Sequence, residues 1–133
     1  MGFQTHKEQG EWAELCFVER ARQIGLTLVK PYGNSSSYDV GIEHEGRLLR
    51  VQIKSTGFSR GGKYLFNLVG AQHTAYKPGL LDFYALYITP VDVWYVIPYD
   101  VAAQNTSACI RLDPSKDGHK YEEYFDAWHL LWK

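Results

Sequence analysis

The sequence predicts a mixed α/β domain of the α+β kind, because helical and strand periodicities alternate along its 133 residues. An apolar stripe at helical spacing opens the chain. Two runs of alternating side chains, 38–43 and 48–54, flank Glu45-Gly46 and predict a hairpin. Two further apolar runs, Phe83–Ile88 and Val93–Ile97, predict strands joined around Thr89-Pro90. This length suits one domain, residues 1–133, with a core of its own.

Residues His6 to Gly25 read as a helix, with Gly25 where a left-handed residue ends it. Successive side chains turn by about 100°. Gly10, Ala13, Glu14, Phe17, Val18, Ala21 and Ile24 therefore share one face. Glu14 sits inside that stripe, where an unpaired carboxylate is costly and needs a partner or a metal. Trp12, Leu15 and Cys16 form a second apolar patch needing another cover, the C-terminal segment or a second subunit. Leu26–Lys30 predicts a short strand, and Pro31 to Ser37 a polar, turn-rich loop. Beyond the hairpin, Ser55 to Gly62 reads as a flexible loop and Lys63–Val69 as a strand. Ala71–Tyr76 suggests a short helix broken by Lys77-Pro78-Gly79. Pro98 suits a helix first turn, so Tyr99–Gln104 is expected to be a brief helix. Ala108–Leu112 reads as a last strand. Tyr121–Leu131 reads as a terminal helix with Tyr124, Phe125, Trp128 and Leu131 facing the core.

The hairpin fixes a register. With Glu45-Gly46 as its loop, 44 faces 47 and 43 faces 48, so Asp39 falls opposite Gln52. Opposed residues share a face with Cβ atoms about 5 Å apart, and Lys54 lies on that face too. A carboxylate, an amide and an ammonium thus share one surface, while Val40, Ile42, Val51 and Ile53 line the other.

Composition narrows the class. Ten Tyr, six Phe and four Trp argue against disorder. No signal-like segment or membrane-length apolar run is present, so the expectation is a cytoplasmic protein with Cys16 and Cys109 as reduced thiols and no membrane partner. Net charge is −1 but unevenly spread. Residues 1–80 hold ten Lys/Arg against seven Asp/Glu, and residues 81–133 hold four against eight. No acidic residue falls between Gly46 and Leu81, where Arg47, Arg50, Lys54, Arg60, Lys63 and Lys77 all lie. Such a surface suits a polyanion and equally suits a solvated face. The five histidines lack zinc-like spacing, and Gly57–Gly62 lacks the Lys-Ser/Thr of a phosphate loop.

Taken singly, the polar residues have ordinary readings: Asp39 as a turn residue, Lys54 reaching to solvent, Glu14 in a salt bridge. Together they suit phosphodiester hydrolysis. A hard ion such as Mg²⁺ takes one or two carboxylates plus water and substrate phosphate. Glu14, Asp39 and the Gln52 side-chain oxygen are the candidate ligands, with the Ile53 carbonyl as a backbone donor. Lys54 is the candidate cation for the charge that builds on phosphorus.

Asp39 followed by Gln52-Ile-Lys54 resembles the PD-(D/E)XK nuclease superfamily, in the variant whose last motif reads Gln-x-Lys. Gly10-Glu-Trp-Ala-Glu14 resembles the Gly-x-x-Gly-Glu start of the first helix in Holliday-junction-resolvase-like members. Leu81-Asp-Phe-Tyr-Ala-Leu-Tyr and Trp94-Tyr-Val-Ile-Pro98 are similar to small bacterial members. The resemblance implies a restriction-endonuclease-like αβββαβ core with a central mixed sheet flanked by helices. It also implies DNA as substrate and Mg²⁺ or Mn²⁺ as cofactor. Residue by residue, Glu14 and Asp39 match metal ligands, Gln52 the variable acidic position and Lys54 the catalytic lysine. Arg50, Ser55, Arg60 and Lys63 are the candidates for DNA contacts. Tyr38 stands where the motif has Pro, Ala13 where the helix has Gly, and Gln52 removes one negative charge. Two expectations follow: a metal-dependent DNA endonuclease, as a homodimer because duplex cleavage needs two sites, or a non-catalytic DNA-binding or assembly module on the same fold.

Overall fold

The computed structural model describes residues 5–33, 36–68, 79–104 and 109–132. Helix α1 spans His6–Gln23. The Thr5 hydroxyl accepts the Glu8 N–H at 3.1 Å to cap its start, and Gly25, at φ 87°, ends it. Its buried stripe is narrower than the spacing predicts. Ala13, Phe17 and Ala21 are buried, while Val18 and Ile24 are exposed.

The strands follow as β1 (Thr27–Val29), β2 (Val40–His44), β3 (Arg47–Thr56), β4 (Ser59–Arg60), β5 (Lys63–Asn67), β6 (Phe83–Ile88), β7 (Val93–Pro98) and β8 (Cys109–Leu112), with a short helix α2 (Tyr99–Ala102) before the last. Five of them form a mixed sheet ordered β1-β2-β3-β6-β7, and β4-β5-β8 form a second sheet. In the five-stranded sheet β3 and β6 run parallel and every other neighbouring pair antiparallel. Val40 pairs with Val51 and His44 with Arg47, the register the hairpin predicts. Glu45 (φ 50°) and Gly46 (φ 79°) both take the left-handed conformation that matches a two-residue turn to strand twist.

The sheet separates two apolar layers. On one face Val40, Ile42, Val51 and Ile53 join Phe17, Trp94, Trp128 and Leu131 beneath α1 and the C-terminal turns. On the other, Tyr84, Leu86, Tyr95 and Ile97 meet Phe66, Ile110 and Leu112 of the second sheet. Helices are therefore not the whole of the flanking material: a three-stranded sheet covers much of one face.

Two expectations from the sequence are overturned. Ser55 to Gly62 is no open loop, since β3 continues to Thr56 and Arg60 pairs with Lys63 in a second hairpin. The segment 121–131 forms no α-helix but two 3₁₀ turns, Glu122–Tyr124 and Trp128–Trp132. Between them Phe125 bridges Tyr95, and the Asp126 N–H donates to the Trp94 carbonyl at 2.8 Å. The backbone here takes the free edge of β7, and Phe125 stays exposed. The helix expected at Ala71–Tyr76 lies outside the described residues, as do Val69 and Ala108 of two expected strands. Among the described residues no helix is long and apolar enough to cross a membrane.

The parallel pair is clamped where it begins. The Asp82 carboxylate accepts the Arg50 backbone N–H at 2.8 Å and the Arg50 Nε at 3.1 Å, while the Asp82 N–H donates to the Arg50 carbonyl at 2.8 Å. The Arg50 guanidinium also donates to the Gly79 carbonyl. Asp82→Ala should cost about 1–2 kcal/mol, because it orphans a half-buried amide and leaves the guanidinium with the Gly79 carbonyl alone. Urea unfolding checks this, and a loss below about 0.3 kcal/mol would show that the clamp is ornamental.

Candidate active site

Asp39 precedes β2, and its N–H donates to the Val51 carbonyl at 2.9 Å, which carries the pairing one step beyond the strand. That step puts Asp39 opposite Gln52. Its carboxylate turns toward β3, where Oδ2 accepts the Ile53 N–H at 2.8 Å. The bond fixes the carboxylate, and among the described residues no hydrogen bond is made to Oδ1. Ile53 is buried in the first apolar layer, so β3 presents its backbone to Asp39 and its side chain to the core.

Glu14 reaches the same place from α1. It lies one position beyond buried Ala13 and three before buried Phe17, so the seating of the helix stripe aims it at the end of the sheet. A cavity of about 180 Å³ is lined by Glu14, Lys30, Pro31, Gly33, Ser36, Tyr38 and Asp39. Two carboxylates thus share one opening.

Electrostatics link the group. Burial pushes the Asp39 pKa up, the Ile53 N–H partly offsets that, and the Glu14 charge raises it further. The Lys54 and Lys30 charges pull it back down. Burial pushes the Lys54 pKa down, with Asp39 opposing. Desolvation is the largest influence on both half-buried groups, and each charge favours the ionised form of the other.

Lys30 is the residue that sequence reasoning missed. Its Nζ lies 2.8 Å from Glu14 Oε1, and this hydrogen bond holds the lysine pKa up. Lys30 follows directly on β1, whose Val29 pairs with Gly41, so extending that register brings it beside the start of β2. A cation ending a strand next to the Asp39 strand is a usable signal once the pairing is known. With Lys30 75% exposed, the pair is worth about 0–1 kcal/mol and yields readily to a stronger cation.

The other predicted residues lie along β3 and at the β4–β5 hairpin. Gln52 and Ser55 are half-buried on β3. Arg50 is on the same strand, but its guanidinium is engaged by Asp82 and Gly79. Arg60 and Lys63 are exposed at the β4–β5 hairpin. Among the described residues no three His, Cys, Asp or Glu side chains cluster, so the acidic part of the site is the pair Glu14 and Asp39.

A family model described as PD-(D/E)XK endonuclease matches residues 4–131. The chain belongs to the PD-(D/E)XK endonuclease family. Among solved structures, a bacterial homing endonuclease, I-Ssp6803I, is 30% identical, with a TM-score of 0.82 over 98% of this chain and 92% of that one. No curated protein sequence matches. As a PD-(D/E)XK endonuclease fold, the arrangement is economical: one hairpin carries Asp39, Gln52 and Lys54, and one helix adds Glu14. The homing endonuclease likeness bears on nuclease chemistry in general and leaves the resemblance to junction resolvases as a matter of sequence motif.

Proposed function

We propose that this PD-(D/E)XK endonuclease is a metal-dependent hydrolase of DNA phosphodiester bonds. The observation that carries the reading is the cavity shared by Glu14 and Asp39, with Lys54 electrostatically coupled to Asp39 from the neighbouring strand. The donor set fits a hard divalent ion. Two carboxylates meet there, one desolvated and repelled by the other, and a dication relieves both penalties. Glu14, Asp39, the Gln52 side-chain oxygen and the Ile53 carbonyl are the proposed holders of Mg²⁺ or Mn²⁺. Such an ion supplies Lewis acidity toward the phosphate when bound. Asp39, oriented by the Ile53 N–H, keeps its carboxylate turned to the opening. The Lys54 ammonium donates to phosphate oxygens as negative charge builds there, in a site where burial strengthens that contact. Arg60, Lys63 and Ser55 are proposed to follow the DNA backbone, while the bonds of Arg50 give it a structural part. Scission of both strands needs two sites, which a homodimer supplies, and the setting proposed is cytoplasmic.

Nicking of supercoiled plasmid with and without Mn²⁺ tests this. Mn²⁺-dependent relaxation that Lys54→Ala abolishes is the expected result; cleavage in EDTA, or none under any condition, rejects it. A second reading has its own observation: Gln52 lacks the acid of the motif, and Lys30 already occupies Glu14. A non-catalytic DNA-binding or assembly module on this fold would bind DNA and leave the plasmid intact.

Gln52 also yields a measurable expectation. A neutral carbonyl oxygen attracts a dication less than a carboxylate does, so Gln52→Glu should tighten Mn²⁺ binding without DNA by roughly tenfold. Titration calorimetry on both forms checks it. Equal affinities would remove position 52 from the ligand set.

A further inference from the structure

A groove of about 290 Å³ lies on the second sheet, away from the carboxylates, and is lined by Phe58, Arg60, Lys63, Leu65 and Arg111. Strand alternation builds it. β5 and β8 turn Phe66, Ile110 and Leu112 into the core and leave Lys63, Leu65, Asn67 and Arg111 exposed on the outer face. Leu65 pairs directly with Arg111, and Arg60 with Lys63 across a turn in which Gly61 (φ 61°) and Gly62 (φ 83°) are both left-handed.

The lining holds three cations and no acid. Among the described residues none of the three enters a salt bridge. Like charges directly opposite each other, as at Arg60 and Lys63, disfavour the hairpin unless an anion meets them. The same lining includes two exposed apolar side chains, Phe58 at 65% and Leu65 at 40%. A surface for phosphate alone has no use for the apolar pair, and a surface for an ordinary protein partner has no use for three like charges. Base edges beside phosphates satisfy both.

We propose that the outer face of β5 and β8 enters the major groove of duplex DNA, where Arg111 reads a base edge while Arg60 and Lys63 hold flanking phosphates. The proposal rests on the nuclease reading above. Two strands about 4.8 Å apart, with their side chains, fit a groove about 12 Å wide. Arg111 lies opposite Leu65 on the outer strand β8, away from the β4–β5 turn, whereas Arg60 and Lys63 flank that turn, where a backbone would pass. The arginine fork matches guanine O6 and N7, and Phe58 and Leu65 match the thymine methyl. The chain runs from Lys54 to Arg60 in six steps of about 3.3 Å, so the groove begins within about 20 Å of the reacting phosphate, roughly six base steps. The hairpin end of the groove and the cutting site therefore fall within one turn of duplex.

Selection of duplexes from a randomised pool by the full chain tests this, with Ca²⁺ supplied as a hard cation that carboxylates accept. Binding of the enriched duplex is then compared with that of a scrambled one for wild type, Arg111→Lys and Arg111→Ala. Wild type should prefer the enriched duplex by at least about tenfold. Arg111→Ala should lose most of that preference while its binding to the scrambled duplex falls less than about threefold, with Arg111→Lys between the two. Equal weakening on both duplexes, no weakening, or a wild type that enriches no sequence would each overturn the proposal. Because Arg111 is exposed, thermal melting of the variants should match wild type, which separates lost reading from lost fold. Plasmid nicking with Mn²⁺ separates the two claims. Arg111-dependent enrichment without nicking supports the groove and rejects the hydrolase, and nicking without enrichment does the reverse.

Discussion

Asp39→Asn should remove Mn²⁺-dependent cleavage and at the same time raise the melting temperature of the metal-free protein. Losing one of two carboxylates at a site of this kind is expected to cost at least about a hundredfold in rate. The gain in stability follows from the direction of the pKa shift. Burial and the Glu14 charge raise the Asp39 pKa in the folded state above its ordinary 3.8. A carboxyl shifted upward favours the fold while protonated, and that contribution is lost as pH rises through the folded-state value. At neutral pH the ionised carboxylate therefore works against the fold, and a neutral isostere that still accepts the Ile53 N–H does not. The difference between variant and wild type should grow as pH climbs from about 3.8 and level off once Asp39 is ionised in both states. Mn²⁺ should reverse the ranking, since a ligand at a hundred times its Kd adds about 2.7 kcal/mol to wild type alone. Mn²⁺ raising both melting temperatures equally would place the ion elsewhere.

Phe17→Ala should be the most destabilising single truncation of the α1 interface. Phe17 is fully buried, with its ring 5.6 Å from Trp94 and 5.2 Å from Trp128, centroid to centroid. Three aromatic rings from a helix, a strand and the last turn meet there, so no one element can shift to fill the space. Truncations of this kind cost about 3–5 kcal/mol, a large share of a total near 5–15 kcal/mol. For a chain of this size that lowers the melting temperature by roughly 10–20 °C. Phe17→Leu should lose less than half as much. The same change loosens Glu14, one helical turn away, so cleavage should fall in the variant even where it remains folded. A loss below about 1 kcal/mol would mean that the three rings do not form one core.

The sequence showed the hairpin and its register directly, because period-two alternation and a Glu-Gly turn are local signals read without tertiary knowledge. Asp39, Gln52 and Lys54 inherit that legibility, and the helix spacing that aims Glu14 has the same local origin. Lys30 was invisible for the converse reason. Its bond to Glu14 spans sixteen residues and depends on the pairing of β1 with β2, which a three-residue strand barely announces. The partner of Arg50 was hidden in a related way: the arginine lies in an acid-free stretch, and Asp82 stands thirty-two residues later, just before β6. The C-terminal segment deceived through composition. Its aromatic spacing fits a helix, but Phe125 and Asp126 bond to the edge of β7, and a competing strand edge leaves no periodic trace.

Strand alternation in the second sheet also divides where the molecule can tolerate inherited change. Phe66, Ile110 and Leu112 are locked into the layer beneath the central sheet, and substitution there disturbs the platform that carries Asp39 and Lys54. Lys63, Leu65, Asn67 and Arg111 alternate with them but touch little of that layer. Neighbouring codons thus carry different constraints: one set is held fixed by folding, while the other answers to whatever the outer face binds. A descendant lineage could retune the outer row one residue at a time with its cutting apparatus and its stability unchanged.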